Sequence, residues 1–526
     1  MRSVFSRRQL LQWGAVAAGS AILPVRRAQA NIYDYASNPF SPPTRPFVAP
    51  LYVPVAKQPV LRLSPTPDTT QFQRYREFPA QKLYEFVAQA RFHAFHPDLQ
   101  PSYVWKYDST PVPQIDAFYG EPIIVRFWND LPADHVGFGS PEIITHLHNA
   151  HTASESDGFA EDFFGPGYYK DHHYANFYAG GDSREALGSL WFHDHRADFT
   201  APNVYRGLRG VYNLYDDLDT GNETTGLRLP SGLYDIPLMF SDPAFTKDSQ
   251  LYLDPFDFDG FLGDKYAVNE TIQPYLRVAR RKYRFRLYTP GPSRHYVFEL
   301  SNGEPMTQIA SDGNLLAAPL IRENVNIGPA ERVDVVIDFS QYPDGTRIEL
   351  RNILVQVDPR KADGISRPGV PVMRFDVVGG KVTDPSRVPA TLRPQPPIDL
   401  NRVAVRRTWE FGRNNGQWAI NGQLYDGGVV RAAPRQGTAE IWTLKNGGGG
   451  WAHPIHMHFE EFRILTRNGT TPPPHERGRK DVIVLGPGEE AEVYLKFRDF
   501  TGRYLMHCHN SVHEDHAMML RWDIVR

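Results

Sequence analysis

The sequence predicts an all-β protein built as three β-sandwich domains, and three observations carry that prediction. Turn formers are abundant, with 42 glycines and 45 prolines in 526 residues, which favours short strands over long helices. From about residue 80 the chain reads as short apolar runs between turn signals, such as Pro122 to Trp128, and no long amphipathic helical pattern stands out. One block is repeated. Gly328-Pro-Ala-Glu-Arg-Val-Asp-Val-Val-Ile-Asp-Phe339 matches Gly486-Pro-Gly-Glu-Glu-Ala-Glu-Val-Tyr-Leu-Lys-Phe497. The shared Gly-Pro and Glu set this pair apart from two unrelated amphipathic strands.

Taken in order, the chain opens on Ser6-Arg7-Arg8-Gln9-Leu10-Leu11, an apolar run from Trp13 to Val25, and Ala28-Gln29-Ala30. The run is too short to span a bilayer. A basic start and an A-x-A end read as a signal peptide over 1–30, cleaved after Ala30, and the paired arginines point to the twin-arginine route. A proline-rich stretch from 31 to about 80 (Pro39, Pro42, Pro43, Pro46, Pro50, Pro54, Pro59) is expected to form an extended arm, with 31–44 preceding the first unit. The three units are placed at 45–220, 228–385 and 400–526, with the prolines between Pro389 and Leu400 as the linker before the third.

Composition is that of an ordinary soluble globular protein. A formal charge of −3 argues against nucleic acid or an anionic membrane as the main partner. There is one cysteine, so an exported chain has no internal disulfide, and a thiol flanked by histidines reads as a metal ligand.

That cysteine lies in His507-Cys508-His509-Asn-Ser-Val-His513-Glu-Asp-His-Ala-Met518. Cys508, His513 and Met518 offer a thiolate, an imidazole and a thioether, the ligand types of a blue-copper electron-transfer site with a long axial Met. Alternate side chains of a strand point to opposite faces. Cys508 therefore faces one metal while His507 and His509 face another. Three more clusters occur: His146-Leu147-His148, His193-Asp194-His195 and His453-Pro-Ile-His456-Met-His458. In each H-x-H pair the two rings share a face, roughly 7 Å apart by strand rise, which suits two metals bridged by a small ligand. A lone H-x-H is a weak signal. Ten of the nineteen histidines are spaced as ligand candidates in these four clusters, and that concentration is what incidental surface or core histidines do not give.

These four segments resemble the four copper motifs of the multicopper oxidases, in the same order along the chain. Within that family the chain is most similar to the laccase-like bacterial branch that includes spore-coat laccases, phenoxazinone synthases and bilirubin oxidases. Ser156-Asp157-Gly158, Trp191-Phe192 before His193, and Leu229 to Leu238 carry this finer likeness, which runs from about residue 45 onward. One departure is Asn149, where the family usually has Gly after the first H-x-H. The resemblance implies three cupredoxin-like Greek-key sandwiches and four copper ions. It implies a type 1 site of His453, Cys508, His513 and axial Met518, and a type 2 site of His146 and His456. The type 3 pair would take His148, His193 and His509 on one ion and His195, His458 and His507 on the other. The first and third units would each supply four histidines to the trinuclear cluster, and the middle unit none. His151 is expected to be a loop polar residue and His172-His173 a surface pair. His516 and Met519 sit beside the axial position without filling it.

The implied activity is one-electron oxidation of a small aromatic reductant, a phenol or aromatic amine, entering at His513 and coupled to reduction of dioxygen to water. Asp157 and Glu514 match acidic positions of the branch and are expected to relay protons, against the alternatives of solvated loop acids or partners of the ligand histidines. The eight methionines are scattered, which disfavours cuprous-ion oxidation and leaves Mn(II) and bilirubin as alternative donors. A copper-free member of the fold would have lost ligands that are present here. A simple electron-transfer protein would leave the two N-terminal pairs unexplained. The expected setting is periplasmic or secreted, after passage through the twin-arginine machinery. The mature chain is expected to be a monomer with no membrane span.

Overall fold

The structure, a computed structural model, describes residues 41–526 except Val136 and Pro255. The signal peptide and the first part of the arm, residues 1–40, lie outside the described residues. Strand pairing falls within three stretches of sequence, 82–215, 235–381 and 403–524. Each stretch forms two main sheets that enclose an apolar core.

The same topology recurs three times. Lys82–His93 runs parallel to Ile123–Asp130, Asp235–Ser241 parallel to Lys282–Tyr288, and Val403–Asn414 parallel to Ala439–Asn446. One further parallel pair occurs in each stretch, and the other strand pairings are antiparallel. A parallel neighbour cannot be reached through a hairpin, so the chain must visit the facing sheet before it returns, which is the Greek-key crossing of a cupredoxin-like sandwich. The strands are amphipathic with period two. In Lys82–His93 the residues Tyr84, Phe86 and Ala88 point inward and their neighbours are more exposed. Each large apolar side chain buried this way contributes about 1.5–3 kcal/mol.

The internal repeat corresponds to one turn made twice. The Gly328 amide donates to the Glu331 carboxylate at 2.7 Å, and the Gly486 amide donates to the Glu489 carboxylate at 2.7 Å. Each turn opens a strand, Arg332–Asp338 or Glu490–Lys496.

The described part of the arm, 41–81, meets the strands through isolated bridges and side-chain bonds. Pro50 bridges to Tyr275, Ala56 to Gln114 and Val60 to Leu83, and Gln73 donates to Thr501. It therefore touches all three strand groups. Two short α-helices, Thr200–Arg206 and Ser511–Asp515, complete the frame. The Asp515 carboxylate accepts from the amides of Thr200 and Ala201 at 2.7 and 3.0 Å, occupying the positive end of the first helix and tying the third unit to the first.

Gly158 fixes the first histidine strand. Its φ is +86°, and a Cβ placed there would lie 2.3 Å from the Thr145 carbonyl oxygen and 2.7 Å from the His146 Cα. Only glycine fits both constraints. Calorimetry on Gly158→Ala should show a lower melting temperature, with a destabilisation exceeding about 1 kcal/mol. An unchanged melting temperature would mean that the turn and strand are not in forced contact.

Candidate metal centre

Two pairs of adjacent strands carry the histidines. Thr145–His148 lies antiparallel beside Ser189–Asp194, with His146 opposite His193. His453–Met457 lies antiparallel beside Gly502–Cys508, with His456 opposite His507. The first pair belongs to the first unit and the second pair to the third. Across the seam His148 stacks on His456 with ring centroids 3.7 Å apart, and His146 stacks on His458 at 3.8 Å. The Nε2 atoms converge. His195 and His458 each bring Nε2 within 3.2 Å of the Nε2 of His507, and His146 and His456 approach at 3.4 Å.

The ligand atoms form compact groups. His148, His193 and His509 make one, His195, His458 and His507 another, and His146 joins His456 and His458; within each group the atoms lie within 4.8 Å of one another. His453, Cys508 and His513 form a separate group within the same limit. The period of two therefore places the Cys508 sulfur in one group and its two neighbouring imidazoles in the all-histidine groups, His507 in one and His509 in another. The H-x-H rings sit closer than strand rise suggests, with centroids 5.7 Å apart in His146/His148 and in His193/His195.

The outer nitrogens are held by the protein. Nδ1 of His456 bonds the Asp481 carbonyl oxygen at 3.0 Å, Nδ1 of His193 bonds the Asp194 carbonyl at 2.9 Å, and Nδ1 of His146 bonds the Asp157 carbonyl. Nδ1 of His458 bonds the Asp157 carboxylate at 2.7 Å, and the Glu514 carboxylate lies 3.0 Å from Nδ1 of His507. Such partners fix the ring orientation and tautomer of a ligating histidine.

Four observations fit this pocket to cations. Its histidines are buried. His193 Nε2 and both ring nitrogens of His509 have no hydrogen-bond partner, a state that costs about 1–3 kcal/mol per buried group when nothing fills it. Burial, followed by the mutual repulsion of the rings, holds His146, His193, His456 and His509 far below the ordinary histidine range, so the imidazoles are the neutral form that binds metal. Finally, burial pushes the Cys508 thiol up, and a thiol in such a place ionises when a bound cation compensates the charge.

In the sulfur group, Cys508 Sγ lies 3.5 Å from His453 Nδ1 and 3.6 Å from His513 Nδ1. Met518 is fully buried in the same core cluster as Cys508, and its carbonyl accepts from the Cys508 amide at 3.0 Å. Met519 packs in a different cluster, with Phe159, Ala160 and Leu505. His513 is roofed. The Trp418 ring lies 3.8 Å from it, centroid to centroid, and His513 Nε2 is 3.0 Å from the Asp259 carbonyl oxygen.

Several expectations are settled by burial. Asp157 and Glu514 are 0% and 3% exposed, which removes the solvated-loop alternative. His172 and His173 are buried rather than a surface pair. His172 bonds the Ser156 carbonyl, His173 the Phe78 carbonyl, and neither belongs to a metal-binding group among the described residues. The charge-bearing type of these residues suggested a surface position, and their strand, Tyr169–Tyr174, is covered instead. His151 pairs with Asp499 at 2.9 Å, and His516 bonds the Val512 carbonyl. Asn149 has φ +72°, the left-handed conformation that makes glycine usual there and that Asn tolerates. It also donates to the Asp312 carbonyl and to Glu461 at 2.6 and 2.9 Å.

Residues without a local signal were missed: Trp418, Asp259 and Asp481. Asp194 had one, its place between two histidines. Its carboxylate accepts from the amide of Ile144 at 2.8 Å and so ties the two N-terminal histidine strands together.

The multicopper oxidase family profile matches residues 393–525. A bilirubin oxidase of Albifimbria verrucaria is 35% identical over 496 residues, covering 91% of this chain and 81% of its own length. A laccase of Bacillus stratosphericus is 32% identical over 512 residues, covering 85% of this chain and 96% of its own. In fold, the crystal structure of a laccase from Pediococcus acidilactici superposes with a TM-score of 0.76 at 24% identity, covering 94% of this chain and 98% of that one.

Cys508→Ser should abolish the intense visible band of a thiolate–metal charge transfer in copper-loaded protein while leaving the fold intact, since Ser is smaller and the site is enclosed. Persistence of the band would exclude the sole cysteine as its source.

Proposed function

This chain belongs to the multicopper oxidases, and we propose that it works as a laccase-like oxidase with four copper ions. His453, Cys508, His513 and Met518 would hold the type 1 ion. His146 and His456 would hold the type 2 ion. His148, His193 and His509, with His195, His458 and His507, would hold the type 3 pair. Bound copper would supply one-electron oxidation of a donor and four-electron reduction of dioxygen to water. One observation carries this reading: His507-Cys508-His509 places its sulfur in one group and its two flanking rings in two other, all-histidine groups. Two successive residues thus join the sites through a single covalent run.

The donor class follows the relatives, with phenols and aromatic amines first and bilirubin next, since the relative at 35% identity is named for it. The scattered methionines still speak against a cuprous-ion oxidase. The twin-arginine motif at Arg7-Arg8 supports export to the periplasm or medium, the setting proposed for this activity. Copper content, the visible and EPR spectra, and oxygen uptake against a panel of phenols, bilirubin and Mn(II) test the whole reading. Four donor electrons consumed per dioxygen is the expected result. Hydrogen peroxide as the main product would contradict it.

The protein's own part in oxygen reduction is proton handling. Burial, against a weaker pull from Lys170, raises Asp157 well above the ordinary carboxylate range, and its Oδ1 is buried without a partner. Asp157 can thus hold a proton at Oδ1 while Oδ2 orients His458. Glu514 stands near His507 and His195. Asp157→Asn and Glu514→Gln should keep anaerobic bleaching of the type 1 band by substrate and lose turnover in air by about a hundredfold or more. Full copper loading with undiminished turnover across pH in both variants would refute the relay.

Met518→Leu should keep the visible band and raise the type 1 potential, because the thioether donates density to the ion. Redox titration checks this. A shift on Met519→Leu with none on Met518→Leu would reassign the axial ligand.

A further inference from the structure

Among the described residues, the middle unit supplies no member of any metal-binding group, yet one of its side chains reaches the seam. Arg332 is 0% exposed and opens the strand Arg332–Asp338, directly after the Gly328–Glu331 turn. Its Nη2 lies 2.8 Å from Asp481 Oδ1, and its Nη1 lies 3.1 Å from Oδ2. The remaining donors go to main-chain oxygens. Nη2 also donates to Asp312 at 2.7 Å, Nη1 to Ala330 at 3.0 Å, and Nε to Ser189 at 3.2 Å. Ser189 begins the histidine strand of the first unit, Ser189–Asp194, and Asp481 follows the strand Arg479–Lys480 of the third. One guanidinium therefore bonds to all three units.

Asp481 continues the chain of contacts inward. Its carbonyl accepts from His456 Nδ1, and its Oδ2 is 2.7 Å from His148 Nε2 and 3.2 Å from His456 Nδ1. His148 and His456 come from different units and stack at 3.7 Å across the seam. The next residue, Asn149, is anchored on Asp312, the same residue whose carbonyl Arg332 binds.

We propose that Arg332 is a positioning residue for the trinuclear copper site. By fixing the Asp481 carboxylate it sets the rings of His148 and His456, so that the middle unit holds the two halves of the site in register. This rests on the ligand assignment proposed above. The physical reason is the planar guanidinium of arginine: Nη1 donates to Oδ2 while Nη2 stays in charge contact with Oδ1, and its other donors are spent on three main-chain oxygens, which a lysine cannot reproduce. Removing one member of a buried pair also leaves the other charge uncompensated. Partners of metal-ligating residues typically carry 10- to 100-fold in metal affinity or activity.

The test uses the full copper-loaded protein and the variants Arg332→Lys, Asp481→Asn and their combination. Both single variants should keep the type 1 visible band, whose residues touch neither side chain, and should melt cooperatively. Each should lose type 2 copper to a competing chelator 10- to 100-fold more readily, with changed type 2 EPR hyperfine splitting. The combined variant should be no worse than Asp481→Asn alone, because Arg332 acts through Asp481. Wild-type retention of type 2 copper and unchanged EPR in both well-folded single variants would overturn the proposal. Strictly additive losses would overturn the route through Asp481. A parallel loss of type 1 and type 2 signals with the melting temperature would mean a merely structural arginine. The wild-type protein reads the underlying assignment separately: no type 2 signal there would overturn both.

Discussion

Everything near the seam answers to one constraint: buried neutral imidazoles whose lone pairs converge need a positive charge between them. Stacked ring faces, with Nδ1 of His146 and His456 on carbonyls and Nδ1 of His458 on the Asp157 carboxylate, leave the Nε2 atoms of His146, His195, His456, His458 and His507 turned towards one another. Without a cation that arrangement leaves buried acceptors unpaired. The fold around it is a set of devices for bringing the two strand pairs together and holding them: the Asp515 cap, the Asp194 tie, the arm and the Arg332 fork.

Much of this was legible in the sequence, for reasons that are local. A strand's period of two converts H-x-H and H-C-H directly into faces, so the partition of Cys508 from His507 and His509 needs no knowledge of tertiary structure. The repeated Gly-Pro-x-Glu block was legible because it encodes one turn with one side-chain-to-amide bond. The all-β class followed from turn chemistry and short runs.

What stayed hidden is non-local. Arg332, Asp481 and Trp418 sit in ordinary strand-like or loop sequence, and only the approach of distant segments gives them work. Burial was the other blind spot. His172 and His173 look like surface residues until the strand that holds them is covered, and Asp157 and Glu514 look like loop acids until the seam closes over them. Asn149 shows an intermediate case. It departs from the glycine usual there, yet it keeps the left-handed turn while its side chain adds bonds to both other units.

The order of the histidines along the chain has a consequence for biosynthesis. The groups that converge at the seam draw on His146 and His148 from early sequence and on His507 and His509 from more than three hundred residues later. A ribosome that has released the first unit has produced only part of each all-histidine group and none of the sulfur group. The strand bearing Cys508 is itself flanked by Met519–Ile524, so the sulfur group closes later still. The all-histidine groups can therefore close only once the third unit has met the first, whereas His453, Cys508 and His513 need the third unit alone.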